Sequence, residues 1–314
     1  MNSLVRMAKR SSLTSLVCLT LVVAFLTIAA TSHNRNRLMF DERMDAMPVP
    51  LIIVITPTYK RPTRLADMTR MSNTLRLVPH VHWIAIEDAN YTVPYVEDIL
   101  RRTMHSYTYI AARTPEGYPK RGWYQRTTAL QLLRNNTASV MRNYKEGVVY
   151  FGDDDNAYDT RLFTDYIRNV KKLGMWAVGL SGGTPVESPE VMNGTVIGYK
   201  VKWGPKRKFA VDMAGFAINL NFILNTTAVF GKSCRSGFGA PEPCFLEDMG
   251  FSQDDIEPFG LDEEMTPKDD IEPFGLDEET TPKKHDVLVW HTRTTQPKFK
   301  GETPDAYDGF VVEV

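Results

Sequence analysis

Gly147-Val148-Val149-Tyr150-Phe151 is an unbroken apolar run that, after one glycine, ends in Asp153-Asp154-Asp155-Asn156. Few folds accommodate such a stretch. A strand that is apolar on both alternating faces must be covered on both sides, as a central strand of a largely parallel α/β sheet is. Three adjacent carboxylates repel one another and are best tolerated where a cation sits among them. Alternation places Asp153 and Asp155 on one face and Asp154 on the other. Ligands of open α/β sheets bind at the carboxyl ends of strands, so the triplet marks a site for a hard divalent ion with room left for phosphate oxygens. The plainer alternatives are a solvated acidic turn or the start of the helical run that follows Asp159. A calcium loop fits poorly, because Tyr158 stands where that loop requires glycine.

The same signature recurs upstream. Leu51–Ile55 and Val81–Ile86 are continuous apolar runs, and Tyr107–Ala111 reads as a third strand. Between them, Leu65, Met68, Thr69, Ser72 and Leu75 recur at helical spacing, and Val93–Met104 and Tyr124–Arg142 also read as helices. Four strand–helix alternations predict a doubly wound α/β domain, its sheet mainly parallel with helices on both faces. The loops at the strand ends carry Tyr59, Asp88 and Arg121 beside the triplet. A composition of 43% hydrophobic and 24% charged residues supports a real core, and a net charge of -1 gives no basis for a nucleic-acid partner.

The second half is less regular. Trp176–Leu180 reads as a strand, and Thr195–Trp203 as a strand beside a hairpin. Asp212 sits inside the apolar stretch Val211–Ile218, where an unpaired carboxylate is costly, and Arg207 is near in sequence. Such a pair has two readings, a functional one and one that merely steadies the loop. Residues 254–268 and 269–283 are tandem copies that match at 14 of 15 positions. Both are acidic, resemble no packed element, and read as a duplication within a surface loop. Asp286–Thr294 is a final buried strand that delivers His291 and Arg293 on one face, suited to an anion. The tail Phe310–Val314 is apolar enough to pack, for example on a second subunit.

Before the globule, residues 1–12 carry Arg6, Lys9 and Arg10, and the 18 residues from Leu13 to Ala30 are uncharged and apolar. That length spans a bilayer, so the reading is a cytosolic tail, a transmembrane signal anchor over 13–30 and a stem over 31–49. A cleaved signal peptide ending near Ala29-Ala30-Thr31-Ser32 is the rival. Four Asn-x-Ser/Thr triplets, at Asn90, Asn135, Asn193 and Asn225, accord with lumenal exposure. Cys234 and Cys244 are expected to pair in an oxidising compartment, the alternative being two free thiols.

The strings ITPTY (55–59), HWIAIEDA (82–89), Gln125-Arg126, VVYFGDDDN (148–156), VDMAGFA (211–217) and VLVWHTRT (287–294) together resemble the β-1,3-glucuronosyltransferases. The resemblance runs in order from Leu51 to the C-terminus. It implies a GT-A fold over 50–314, with a UDP-sugar- and manganese-binding part over 50–156 and an acceptor-binding part over 157–314. It also implies a Golgi type II membrane protein, a homodimer, that uses Mn2+ to transfer glucuronate from UDP-glucuronate to a terminal galactose with inversion. The acceptor implied is the galactose–galactose–xylose linker of proteoglycans, with N-acetyllactosamine ends as the alternative. A related transferase of different specificity and a non-catalytic glycan-binding homologue are the competing readings.

Carried over by position, the resemblance implies donor contacts from Tyr59, Asp88, Arg121, Arg126, Asp153, Asp154, His291 and Arg293, and a manganese ligand in Asp155. It implies acceptor contacts from Glu187, Arg207 and Asp212, and a catalytic base in Glu247, with Asp248 as the rival base. One departure is Pro243, which stands four positions before Glu247 where the family carries a basic residue. Another is the duplication, which lies between Glu247 and His291.

Overall fold

A computed structural model describes residues 49–232, 234, 240–261, 285–292, 294–295, 297–298 and 313. The large sheet is built from strands β1 (Leu51–Thr58), β2 (Val81–Glu87), β3 (Ser106–Ala111), β4 (Gly147–Phe151), β6 (Leu173–Met175), β10 (Phe216–Asn219) and β11 (Ile256–Pro258). Their order is β11-β6-β10-β4-β1-β2-β3. Strands β4, β1, β2 and β3 pair in parallel, β10 runs antiparallel to both β4 and β6, and β11 is parallel to β6. The expected parallel sheet thus forms its half, and the mixed half is the addition that the irregular second half of the chain conceals.

The continuous apolar runs are explained by coverage on both faces. Leu51, Ile53, Ile55, Ile84, Ile86, Val149 and Phe151 point into one core, against helix α3 (Trp123–Asn135). Ile52, Val54, Trp83, Ala85, Val148 and Tyr150 point into the other, against α1 (Arg64–Leu75) and α2 (Pro94–Arg102). Each fully buried aliphatic side chain stabilises the fold by about 1.5–3 kcal/mol. Helix α2 begins with Pro94 at a first-turn position and ends on Arg101 and Arg102, a charge order that suits its dipole.

A smaller sheet, ordered β5-β12-β7-β8-β9, comprises β5 (Ala157–Tyr158), β7 (Val178–Gly179), β8 (Val186–Met192), β9 (Thr195–Lys200) and β12 (Val289–Trp290). The hairpin β8–β9 closes through Asn193 and Gly194, both at positive φ (50° and 72°), the turn that an Asn-Gly pair favours.

Several expectations are corrected. The helix expected over 124–142 breaks at Asn136 into α3 and α4 (Thr137–Met141), where the Thr137 hydroxyl bonds back to the Leu133 carbonyl. Of the strand expected over 176–180, only Val178–Gly179 forms one, as β7 of the smaller sheet. Trp176 turns the chain there, its backbone N–H donating to the Gly215 carbonyl and its indole N–H to that of Ala214. The first repeat copy begins as packed structure, not as free loop: Ser252 and Asp255 form a capping box and Ile256–Pro258 is edge strand β11. Residues 262–284, including the second copy, lie outside the described residues.

The expected membrane anchor, and with it the Golgi type II placement, is not upheld. Among the described residues no helix is long and apolar enough to cross a membrane. The segments assigned as tail, anchor and stem over 1–48 lie outside the described residues.

Cys234 and Cys244 form a disulfide. Asn90, Asn135, Asn193 and Asn225 are all exposed.

Candidate functional site

The site lies at the carboxyl ends of β1, β2 and β4. Beyond β4, Arg126 of α3 pairs with the Asp153 carboxylate and also donates to the Arg121 carbonyl (2.9 Å). Gly122, at φ +74°, starts α3, and a Cβ there would stand 2.8 Å from both Arg126 and Pro57. Glycine is therefore what lets the helix bring Arg126 up to the triplet. The Arg121 side chain itself is exposed.

Asp154 turns to the opposite face, as alternation predicts, and is 5% exposed. The Thr58 hydroxyl donates to it at 2.7 Å, and Arg61 donates to both of its oxygens (3.0 and 2.9 Å). Arg61 also reaches buried Asp67 of α1 at 2.9 Å and lies 5.0 Å from the centroid of the half-exposed Tyr59 ring. Asp154 is thus occupied as a structural anchor.

Asp155 is different. Its backbone carbonyl accepts from Arg70 and from Thr292, both at 2.7 Å, while its carboxylate accepts no hydrogen bond among the described residues. Burial, then the neighbouring charges of Asp153 and Asp154, push its pKa up to about 6. A held backbone with an unpartnered, destabilised carboxylate is what a cation would relieve. Among the described residues no cluster of three His, Cys, Asp or Glu side chains could cage a metal. The donor set therefore fits an ion held by one carboxylate and otherwise by substrate phosphates and water, not an all-protein cage.

Asp88, just past β2, accepts from the Thr114 backbone N–H and hydroxyl (both 2.7 Å), which tethers the loop after β3. Asp153, Asp155, Asp88 and Tyr59 thus border one edge of the large sheet.

The smaller sheet supplies the facing side. His291, after β12, is fixed by its backbone N–H to the Gly179 carbonyl, and its Nδ1 contacts Asp212 Oδ2 at 2.9 Å. That hydrogen bond, against the opposing effect of burial, raises the His291 pKa to about 9, so the ring is charged at neutral pH. Burial works against the Asp212 carboxylate, but His291, the Ala214 N–H and the Ser181 hydroxyl outweigh it and hold its pKa below the ordinary value. The expected partner of Asp212, Arg207, is engaged elsewhere. It donates to the carbonyls of Gly204 and Trp203 and lies 4.3 Å from the Trp203 ring centroid. Ser181 bridges Asp212 to Glu187, at 2.9 Å from each. Glu187 is buried, one of its oxygens has no partner, and burial raises its pKa. Two expected acceptor residues and one expected donor residue therefore belong to a single chain, His291–Asp212–Ser181–Glu187. Arg293 lies outside the described residues.

Helix α5 (Pro241–Asp248) carries the expected base. Pro241 and Pro243 both fall in its first turn, where no intrahelical N–H bond is lost. Glu247 is half-buried, its carboxyl without a hydrogen-bond or ion-pair partner among the described residues, and Asp248 is exposed. Glu242, five residues earlier, was not singled out by the sequence. Burial and the Asp212 charge push its pKa up to about 8, and only Arg126 and Arg207 among the nearby side chains pull it back. It thus shares its surroundings with both halves of the site. An acid two residues after a glycine–alanine step carries no sequence signal of its own; only the fold turns it inward.

Arg61 and Arg70 were also missed. A lone arginine in a turn or on a helix reads as solvated, and nothing local indicates that each holds part of the triplet.

Taken together, a strand-end acid triplet on a sheet of this topology is faced by a charged histidine and lies beside a second, carboxylate-lined cluster. The sequence model described as "Glycosyltransferase family 43" matches residues 71–266. The galactosylgalactosylxylosylprotein 3-beta-glucuronosyltransferase sqv-8 of Caenorhabditis elegans is 38% identical over 268 residues, covering 82% of this chain and 67% of that one. Galactosylgalactosylxylosylprotein 3-beta-glucuronosyltransferase 1 of Homo sapiens is 36% identical, covering 85% and 75%. Galactosylgalactosylxylosylprotein 3-beta-glucuronosyltransferase 3 of Mus musculus is 37% identical, covering 81% and 73%. The chain belongs to glycosyltransferase family 43.

Proposed function

We propose that the protein transfers glucuronate from UDP-glucuronate to the 3-hydroxyl of a terminal galactose, in one inverting displacement. The observation that carries this reading is the opposition of two subsites. Asp155 offers an unpartnered carboxylate on the donor side, and Glu242, Glu187 and Asp212 gather on the acceptor side. The names of the 36–38% identical relatives supply the sugar and the acceptor class, the galactose–galactose–xylose linker.

In this reading the nucleotide lies along the carboxyl edge of β1 and β2, against Tyr59 and Asp88, and Arg126 with Asp153 borders the sugar and its diphosphate. Asp155 would hold Mn2+, which would supply positive charge to offset that of the departing diphosphate. His291, kept cationic by Asp212, faces the same developing charge. Glu187, Asp212 and Arg207 orient the acceptor sugar. Glu242, rather than Glu247, takes the proton of the attacking hydroxyl. The new bond forms from that oxygen to the anomeric carbon as the bond to the diphosphate breaks, and UDP leaves with the electron pair. A carboxyl whose pKa lies near 8 is a stronger base than an ordinary one, while still ionised in part at neutral pH.

The test is transfer from UDP-glucuronate with manganese, offering Gal-β1,3-Gal and N-acetyllactosamine side by side. Glucuronidation of the digalactoside supports the reading. Transfer to N-acetyllactosamine alone replaces the acceptor, and no transfer to either, with UDP still bound, overturns the proposed reaction.

A further inference from the structure

Helix α1 begins with an unusual concentration of buried positive charge. Arg61 precedes it and Arg64 opens it, 7% and 0% exposed, although a helix N-terminus disfavours cations. Thr63, its N-cap, makes no side-chain capping bond, and its hydroxyl is buried without a partner. The helix start is therefore held by anions, one from its own first turn and the rest from other segments. Arg61 has Asp154 and Asp67. Arg64 has Glu87, the last residue of β2, and Glu313, which is 249 residues away in the C-terminal tail.

Glu313 is 3% exposed and is held at both oxygens. Arg64 Nε donates to Oε2 at 2.6 Å, Arg64 Nη2 pairs with Oε1, and the Tyr95 hydroxyl donates to Oε1 at 3.0 Å. On the other side of Arg64, the Tyr109 hydroxyl donates to Glu87 at 2.6 Å. This cluster adjoins the donor subsite along two short paths. Glu87 is followed directly by Asp88, and Arg64 lies one helical turn from Arg61, which grips Asp154 and backs the Tyr59 ring.

We propose that Glu313 is a positioning residue of the donor subsite: docked on Arg64 and Tyr95, it fixes the start of α1 and the end of β2, and thereby sets Tyr59, Arg61 and Asp88 for the nucleotide. The sequence suggests that the tail packs, for example on a second subunit. The structure gives Glu313 a berth in its own chain and a task in the donor subsite. Because Arg64 keeps Glu87 when Glu313 is removed, loss of Glu313 leaves no buried arginine without a counter-charge, and the fold is expected to survive. The inference rests on the donor-site reading above.

The experiment compares the full chain with Glu313→Gln and with a chain ending at residue 312. It measures UDP affinity by calorimetry with manganese, donor and acceptor KM, and hydrogen exchange over residues 61–67 and 87–88. The expected result is UDP binding and donor KM weakened by about tenfold in both variants, acceptor KM unchanged and exchange faster in those two segments. A purely structural role would lower kcat through the active fraction and leave both KM values alone, which would overturn the proposal. UDP affinity within about twofold of the parent would overturn it too. If the parent fails to bind UDP, the donor-site reading falls. Exchange then decides the docking alone: faster exchange in the variants upholds the berth of Glu313, and unchanged exchange removes it.

Discussion

The two sides of the site are built by different means. The proposed donor side stands on β1, β2 and β4, strands of five to eight residues buried on both faces, and two of its carboxylates are clamped by buried arginines, Arg61 just before α1 and Arg126 of α3. The proposed acceptor side stands on β7 and β12, strands of two residues each, and on loops joined by hydrogen bonds through Ser181, Asp212 and His291. The first is a buried rack that presents a carboxylate, Asp155, with no hydrogen-bond partner among the described residues. The second is a polar chain in which one hydroxyl serves two carboxylates, so a proton or an incoming sugar hydroxyl changes its pattern. On the proposed reading, rigidity suits the invariant part of the reaction, the nucleotide and metal, and an adjustable chain suits the part that must choose an acceptor.

Substitutions that break this contrast rank by expected effect. Asp155→Ala removes the one unpartnered carboxylate of the rack, and turnover with manganese is expected to fall by about 10³-fold, with the melting temperature unchanged or raised as repulsion within the triplet is relieved. Steady-state rates across a manganese titration, with calorimetric melting, check both halves. Arg61→Met strikes the rack itself. It leaves Asp154 and Asp67 without their shared cation, and a loss of about 3–5 kcal/mol in urea unfolding is expected.

The His291–Asp212 pair sharpens the comparison through pH. The folded pKa of His291, about 9, lies above its ordinary 6.5. Its contribution to stability is therefore fully present below pH 6.5 and lost as pH rises through 9. The melting temperature of the parent is expected to decline over that window, and that of Asp212→Asn to start lower and decline less. Ser181→Ala is the mildest change. It removes one bridging hydroxyl, and acceptor KM is expected to rise about three- to tenfold while UDP affinity stays constant. An equal loss of UDP affinity would show that the two sides are not separate.

The same contrast explains what could be read in the sequence. The parallel half of the large sheet and the triplet were legible, because continuous apolar runs with helical spacing between them admit few arrangements. The roles of Asp154 and Asp155 were separable only in part. Alternation put them on opposite faces, but that Asp154 is satisfied by Arg61 depends on a contact across 93 residues. The mixed half of the sheet rests on strands of three and four residues, too short to carry a period. Asp212 was recognised as needing a partner, yet its partner came from 79 residues downstream rather than from nearby Arg207. Glu242 had no signal at all, because its pKa is raised by burial and a neighbour that only the fold supplies. The expected anchor came from a hydrophobic run, the basic residues before it and the family resemblance, and no helix among the described residues supports it.

The most direct test of the account is the assignment of the base on the acceptor side. Glu242→Gln and Glu247→Gln are assayed together with manganese, UDP-glucuronate and the digalactoside, with the parent followed in parallel from pH 6 to pH 9.5. The account predicts that Glu242→Gln lowers kcat by about 10²–10⁴-fold and that Glu247→Gln stays within about threefold of the parent. It also predicts that the parent's kcat/KM rises with pH toward a plateau above about 8, as the Glu242 carboxyl ionises. A near-normal rate for Glu242→Gln together with a collapse for Glu247→Gln would contradict it and return the base to the end of the helix.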